Sequence, residues 1–217
     1  MLEKLSVIII NFQTPDLLKN AVETFRAFYP AVDVLIVDNG SRDNSLDIIN
    51  QLIEKHPSST RLLKFSENIF HGPAMHAAIE QTDKEYIFLL DSDTETTKGS
   101  FLEKMIELMQ PAKKIYSIGQ LDRVDKRGFI TNKNGTPAIR TYGMMLNRNH
   151  YLQLHPFEHH GLPTLKNFTD AHRLGFAVLN FPIENYVRHL GRGTASRFGY
   201  QLGIKSKIDF LLHKLGL

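Results

Sequence analysis

The feature that most narrows the folds open to this chain is a series of short apolar runs separated by longer amphipathic segments. The runs are Leu5 to Ile10, Val32 to Val37, Leu62 to Phe65 and Tyr86 to Leu90. Runs this short and this continuously apolar read as strands buried on both faces, and the segments between them supply the crossover helices of βαβ units. Leu17, Leu18, Ala21, Val22 and Phe25 share one helical face, which predicts a helix from Asp16 to Phe28 behind Pro15, with Thr14 as its N-cap. Leu46, Ile49 and Ile53 mark a second helix over Asn44 to Lys55, and Pro73 to Gln81 reads as a third. A mainly parallel sheet follows.

In such a sheet ligands bind beyond the carboxyl ends of the strands, where this sequence puts Asn11, Asp38, Asn68 and Asp91. The usual phosphate cradles are missing, since no Gly-x-Gly-x-x-Gly follows the first strand and no Gly-Lys-Ser/Thr occurs. The site needs another way to hold phosphate. Asp91-Ser92-Asp93 offers one: alternate side chains leave an extended backbone on the same side, so both carboxylates can face one hard cation that bridges to a diphosphate. By itself such a triplet is more often a turn or a cap than a metal site.

The strand before the triplet changes its weight. Val7-Ile8-Ile9-Ile10-Asn11, Val37-Asp38-Asn39-Gly40-Ser41-Arg42-Asp43-Asn44-Ser45, Asn68 to Gly72 and Leu89-Leu90-Asp91-Ser92-Asp93 occur in that order. Together they resemble the family 2 glycosyltransferases with the GT-A fold. The resemblance implies an α/β protein, a GT-A type three-layer α/β/α sandwich with a mixed, mainly parallel central sheet. It also implies an enzyme that moves a sugar from a nucleotide-sugar donor to an acceptor hydroxyl, metal-dependent and inverting. Asn11 and Asp38 then hold the nucleoside, with Asp38 on the base and Gly40 serving the turn. Asn68, His71 and Gly72 read either as a helix start or as a contact to the donor's sugar or phosphate. Asp91 and Ser92 belong to the donor site as well.

Downstream, the resemblance assigns His189 to the metal beside Asp93 and Asp91, while Arg188, Arg192 and Arg197 suit a diphosphate. An imidazole ligand favours Mn2+ over Mg2+, which prefers oxygen. The Glu-Asp pair from which related enzymes draw their general base is absent here. Glu158 and Asp170 are the catalytic candidates in its place, Glu158 first, with a solvated helix carboxylate as the competing reading of Asp170. His155, His159, His160 and His172 lack the tight ligand set of a closed zinc site and read as a polar acceptor loop.

The second half is less regular. A helix is expected at Ser100 to Met109, short strands at Ile115 to Gln120, Phe129 to Thr131 and Thr141 to Leu146, a helix at Leu162 to Leu174 and a strand at Phe176 to Phe181, after which Tyr186 to His189 leads into the Gly191-Arg192-Gly193 loop. The expected organisation is one GT-A domain over 1–217, with a donor half at 1–98, an acceptor half at 99–199 and an amphipathic C-terminal helix at 200–217. That last helix spaces Leu202, Ile204, Ile208, Leu211, Leu212 and Leu215 among lysines, as a helix does that packs on a domain, forms a homodimer or lies on an anionic membrane.

A net charge of +3 is far below that of a nucleic-acid binder, so no nucleic acid is expected as partner. Expected partners are a UDP- or GDP-sugar and a saccharide or lipid-linked acceptor. The chain has no cysteine, which excludes thiolate chemistry, and neither an export signal nor a membrane span is read. The expected location is cytoplasmic, with peripheral contact to the inner membrane face through the C-terminal helix. A catalytically silent binding module and a sugar-phosphate nucleotidyltransferase remain as alternatives.

Overall fold

The computed structural model describes residues 1–109, 114–131, 135–158, 162–191 and 193. In chain order the first half comprises β1 (Leu5–Asn11), α1 (Pro15–Arg26), β2 (Asp33–Asn39), α2 (Ser45–Lys55), β3 (Thr60–Phe65), α3 (His71–Glu80) and β4 (Tyr86–Asp91). There follow β5 (Thr94–Thr96), α4 (Phe101–Met109), β6 (Ile115–Gly119), β7 (Leu121–Val124), β8 (Thr136–Ile139) and β9 (Gly143–Asn147). The remaining elements are α5 (Arg148–Tyr151), α6 (Leu165–Arg173), β10 (Ala177–Asn180) and β11 (Val187–His189).

Seven strands form one sheet in the order β10-β6-β9-β4-β1-β2-β3. β3, β2, β1 and β4 run parallel. β9 is antiparallel to both β4 and β6, and β10 is parallel to β6. The sheet is thus mixed and mainly parallel, with strands from both halves of the chain.

Alternation along the strands divides the core into two layers. Leu5, Val7, Ile9, Val34, Ile36, Phe88 and Leu90 face α1, α2 and α4, where Leu18, Val22, Phe25, Ile49 and Phe101 meet them. Ile8, Ile10, Leu35, Val37, Ile87 and Leu89 face the other way, onto Met75 and Ile79 of α3, Tyr151 of α5 and Phe168 of α6. The apolar runs are continuous because both faces are covered. Each such side chain, fully buried, contributes about 1.5–3 kcal/mol. The turn after β2 shows how tightly the strand ends are packed: Gly40 has a φ of +78°, and a Cβ there would fall 2.3 Å from the Glu67 carbonyl carbon. Its role in the turn is structural, as expected.

Three features differ from the sequence reading. Phe129 to Thr131 is not a strand. Ile130 makes a single bridge to Val124, while the Asp125 carboxylate closes a tight turn by accepting from the Arg127 and Phe129 amides. β7 and β8 form a separate hairpin, and β5 pairs with β11 in a small antiparallel ribbon. Neither pairing was legible, because three- or four-residue polar strands carry no periodic signal. The expected C-terminal helix at 200–217, together with His159, His160, Arg192 and Arg197, lies outside the described residues. No helix among the described residues is long and apolar enough to cross a membrane.

Candidate active site

The carboxyl edge of the sheet gathers two linked clusters. The first lies over β1 and β2. Asp38 is fully buried; its Oδ1 accepts from Asn11 Nδ2 at 3.3 Å and its Oδ2 from the Ser41 amide at 3.3 Å. Asn11 Nδ2 also reaches Ser41 Oγ at 3.2 Å, and Ser41 Oγ accepts from the Gln13 amide at 3.0 Å. Thr14 occupies the N-cap of α1 as expected but makes no side-chain capping bond. Its hydroxyl donates instead to Asn11 Oδ1 at 3.1 Å and stands 3.4 Å from Ser92 Oγ, tying the first strand end to the Asp91-Ser92-Asp93 turn. Reading Thr14 as a cap missed this bridge, for which the sequence holds no signal. Asp38 therefore sits one hydrogen-bond layer beneath the surface that Ser41 and Gln13 present.

The second cluster is built by the β5–β11 ribbon, whose register sets His189 opposite Thr94. This brings the imidazole over the end of β4. His189 Nε2 lies 3.2 Å from Asp93 Oδ1 and 4.0 Å from Asp91 Oδ2. The Gly193 amide donates to Asp93 Oδ2 at 2.8 Å, and the Leu190 amide donates to the Asp93 carbonyl at 2.8 Å. Asp93 is buried, whereas Asp91 is partly open and has His71 Nε2 3.9 Å from its Oδ1. Arg188, expected to serve a diphosphate, pairs instead with Glu95 across the ribbon.

The charges in this cluster shape one another. Desolvation raises the Asp91 pKa, reinforced by the neighbouring Asp93 carboxylate and opposed by His71 and His189. The hydrogen bond to Asp93 raises the His189 pKa, against the effect of burial. Asp91, Asp93 and His189 present one ligating atom each, all within 4.8 Å of one another. Two carboxylate oxygens and one imidazole nitrogen at this separation fit a six-coordinate divalent cation with positions left for phosphate oxygens and water. No second group of this kind exists among the described residues.

Behind the clusters, Asn68 is engaged in holding its own loop. Its Oδ1 accepts from Asn39 Nδ2 at 3.0 Å and from the Phe70 amide at 2.8 Å, while Asn39 Oδ1 accepts from the Ile69 amide at 3.0 Å. Asn39, at the end of β2, is the hub of this loop. Phe70 is held at φ +71°, which directs His71 to the edge where Asp91 lies. Gly72 has a steric role: a Cβ there would fall 1.8 Å from the Glu158 carbonyl oxygen, so the 155–158 segment leans directly on the start of α3.

Glu158 and Asp170 are placed differently. Desolvation raises the Glu158 carboxyl, but hydrogen bonds from Lys166 Nζ at 2.8 Å and His155 Nε2 at 2.9 Å outweigh it, and its pKa is lowered. Asp170 accepts from the His155 amide at 3.2 Å and from Arg173 at 3.2 Å, so it steadies the loop that carries Glu158.

Comparison with known proteins identifies the family and the fold. Residues 6–175 match the model of glycosyl transferase family 2. The chain is 32% identical over 123 residues to an uncharacterized glycosyltransferase of Nostoc sp., covering 56% of this chain and 38% of that protein. It is 28% identical over 150 residues to the Escherichia coli UDP-Glc:alpha-D-GlcNAc-diphosphoundecaprenol beta-1,3-glucosyltransferase WfaP, covering 67% of this chain and 56% of that one. Its fold is shared with the mannosyltransferase PcManGT of Pyrobaculum calidifontis, solved in complex with GDP-Man and Mn2+. The TM-score is 0.66 at 16% identity, over 82% of this chain and 55% of that one. The chain thus spans well under two thirds of the length of each of these relatives.

Proposed function

The chain belongs to glycosyl transferase family 2, and from that membership we propose that it transfers a sugar from a nucleotide-sugar donor to an acceptor hydroxyl by a metal-dependent, inverting displacement. The observation that carries this reading is the convergence of Asp91, Asp93 and His189 at the carboxyl edge of the sheet. In this reading Asp93 and His189 are direct ligands of a divalent cation, and Asp91 acts through water or the donor's ribose. The mixed oxygen and nitrogen set favours Mn2+ over Mg2+. Such a cation neutralises charge on the departing nucleoside diphosphate.

The protein's own groups do the rest. Asn11, Asp38 and Ser41 form the floor of the nucleoside site: Asp38 orients Asn11 and the Ser41 amide, and reaches the base itself when Ser41 moves aside. The partly exposed His71 and the first amides of α3 face the phosphates and sugar. Glu158 is assigned as proton acceptor ahead of Asp170, because its segment packs directly against the start of α3, whereas Asp170 is engaged by the His155 amide and Arg173. The chain folds as one domain in this reading, with residues 1–98 serving the donor and 99–199 the acceptor.

The GDP-mannose of the archaeal structure and the UDP-glucose in the name of the bacterial relative support a GDP- or UDP-sugar donor. That relative's diphosphoundecaprenol acceptor supports a lipid-linked saccharide. Turnover of a panel of UDP- and GDP-sugars with and without Mn2+ tests the proposal. Product or slow donor hydrolysis that needs the metal supports it. Nucleotide-sugar binding with no turnover under any condition would assign the chain as a silent binding module.

A further inference from the structure

Ile130 and Phe129 are the most exposed large hydrophobic side chains among the described residues, at 64% and 52%, and they are consecutive. They lie on the return arm of a hydrogen-bonded turn. The Asp125 amide donates to the Phe129 carbonyl at 2.8 Å, the Gly128 amide to the Asp125 carbonyl at 2.9 Å, and Ile130 is bridged to Val124. A turn this well closed does not expose two apolar side chains for want of a better conformation. Around them stand Arg123, Lys126 and Arg127, all exposed. The carboxylate of the turn itself, Asp125, is directed into the loop by its bonds to the Arg127 and Phe129 amides, at 2.8 and 3.0 Å. Asp122, at the base of the hairpin, is paired with Arg140. The turn is therefore cationic at its apex, where Lys126 and Arg127 stand, and apolar on the arm that returns from it.

We propose that this turn, with Phe129 and Ile130 on its return arm beside the exposed Arg123, Lys126 and Arg127, inserts into the surface of an anionic lipid bilayer. Two side chains cannot provide the ~800 Å² per partner that a stable protein interface requires. They suffice for a bilayer, where an aromatic and an aliphatic side chain enter the headgroup boundary and neighbouring cations meet anionic lipids. The turn is also well placed. A Cβ on Gly128 would lie 2.9 Å from Leu162 Cβ, and the next residue, Pro163, would meet a Cβ on Gly72 at 3.0 Å. The turn thus rests on the same short segment that packs against the head of α3, on the acceptor side of the candidate active site.

The sequence contains no tryptophan, so Phe129→Trp in the full chain gives a single, local reporter. With vesicles of phosphatidylcholine and phosphatidylglycerol its emission should shift to the blue and be quenched by brominated acyl chains, with a much smaller response to phosphatidylcholine alone. Lys126→Glu/Arg127→Glu should lower the partition constant roughly 25-fold, about fivefold or more per cation. Phe129→Ser/Ile130→Ser should lower it at least as far while leaving the melting temperature unchanged, since both positions are exposed. Indole emission from the Phe129→Trp protein that stays unshifted overturns the proposal, whether the protein fails to bind vesicles or binds them through another segment. So does full vesicle binding by the Phe129→Ser/Ile130→Ser protein.

Discussion

The Tyr142 ring lies face to face on the imidazole of His189, with centroids 5.0 Å apart and planes 16° from parallel. Tyr142 is itself buried, and its hydroxyl donates to Gln120 Oε1 at 2.7 Å, so the platform under the imidazole is fixed at its far end as well. Groups that orient a ligand in this way commonly govern metal affinity by about 10- to 100-fold. Tyr142→Leu is expected to weaken Mn2+ binding within that range, measured by electron paramagnetic resonance of the free ion, while Tyr142→Phe keeps most of the affinity. Equal affinities in all three proteins would remove Tyr142 from the site.

Asp93→Ala removes the buried carboxylate on which His189 and the Gly193 amide converge. Turnover and the metal-dependent part of donor affinity should both be lost, leaving only metal-independent nucleotide binding in calorimetry. A folded Asp93→Ala protein that still binds the donor more tightly with Mn2+ would falsify the ligand assignment.

Asp38→Ala leaves Asn11 Nδ2 and the Ser41 amide without their buried acceptor, a loss worth about 1–3 kcal/mol for each group left unsatisfied. The expected result is a lower melting temperature together with weaker nucleotide binding that is unaffected by chelator. Normal stability with weakened binding would leave Asp38 its contact with the base and remove its role in orienting Asn11 and Ser41.

Gly72→Ala tests the dependence of the acceptor side on the start of α3. Its Cβ would fall 1.8 Å from the Glu158 carbonyl oxygen, so the 155–158 segment has to retreat. Donor affinity should hold while turnover onto the acceptor falls by at least about tenfold, the price of roughly an ångström of misplacement. Parallel losses in both would show that Gly72 serves the donor directly.

The pH dependence of stability follows from Glu158. Its folded pKa lies below the ordinary 4.5, because bonds from Lys166 and His155 outweigh the opposing effect of desolvation. The stabilisation is complete above the unfolded carboxyl pKa and is lost as pH falls through the lower, folded value. Glu158→Gln should therefore flatten this part of the acid limb of the melting curve between neutral pH and about pH 3. It should also abolish turnover at neutral pH with donor binding intact. Full turnover by this variant would pass the base assignment to Asp170.

Much of this was legible in the order of residues because it rests on local pattern. The parallel strands announce themselves by apolar runs covered on both faces, and their polar ends at Asn11, Asp38 and Asp91 fall on one edge by topology alone. The pairing of His189 with Asp93 was reached through family likeness. Its physical cause, a ribbon of two three-residue strands, leaves no periodic trace. Tyr142 was invisible for a related reason: ring stacking between β9's approach and β11 is set by how two distant segments meet. Asn39 and Thr14 were read as local turn and cap, and their side chains act across strands instead.

The same ribbon sets a timetable for the newly made chain. Gly193 and Asp93, which meet through one hydrogen bond, are 100 residues apart in sequence. At a synthesis rate of about 5–20 residues per second, the two carboxylates leave the ribosome roughly five to twenty seconds before His189 and Gly193 arrive to meet them. During that interval the nascent first half can form its strands and the proposed nucleoside floor, but the cluster of Asp91, Asp93 and His189 is incomplete. In the proposed reading, capacity to hold a cation then waits on the later half of the chain, and ribosome-stalled fragments ending before His189 should take up nucleotide without any response to Mn2+.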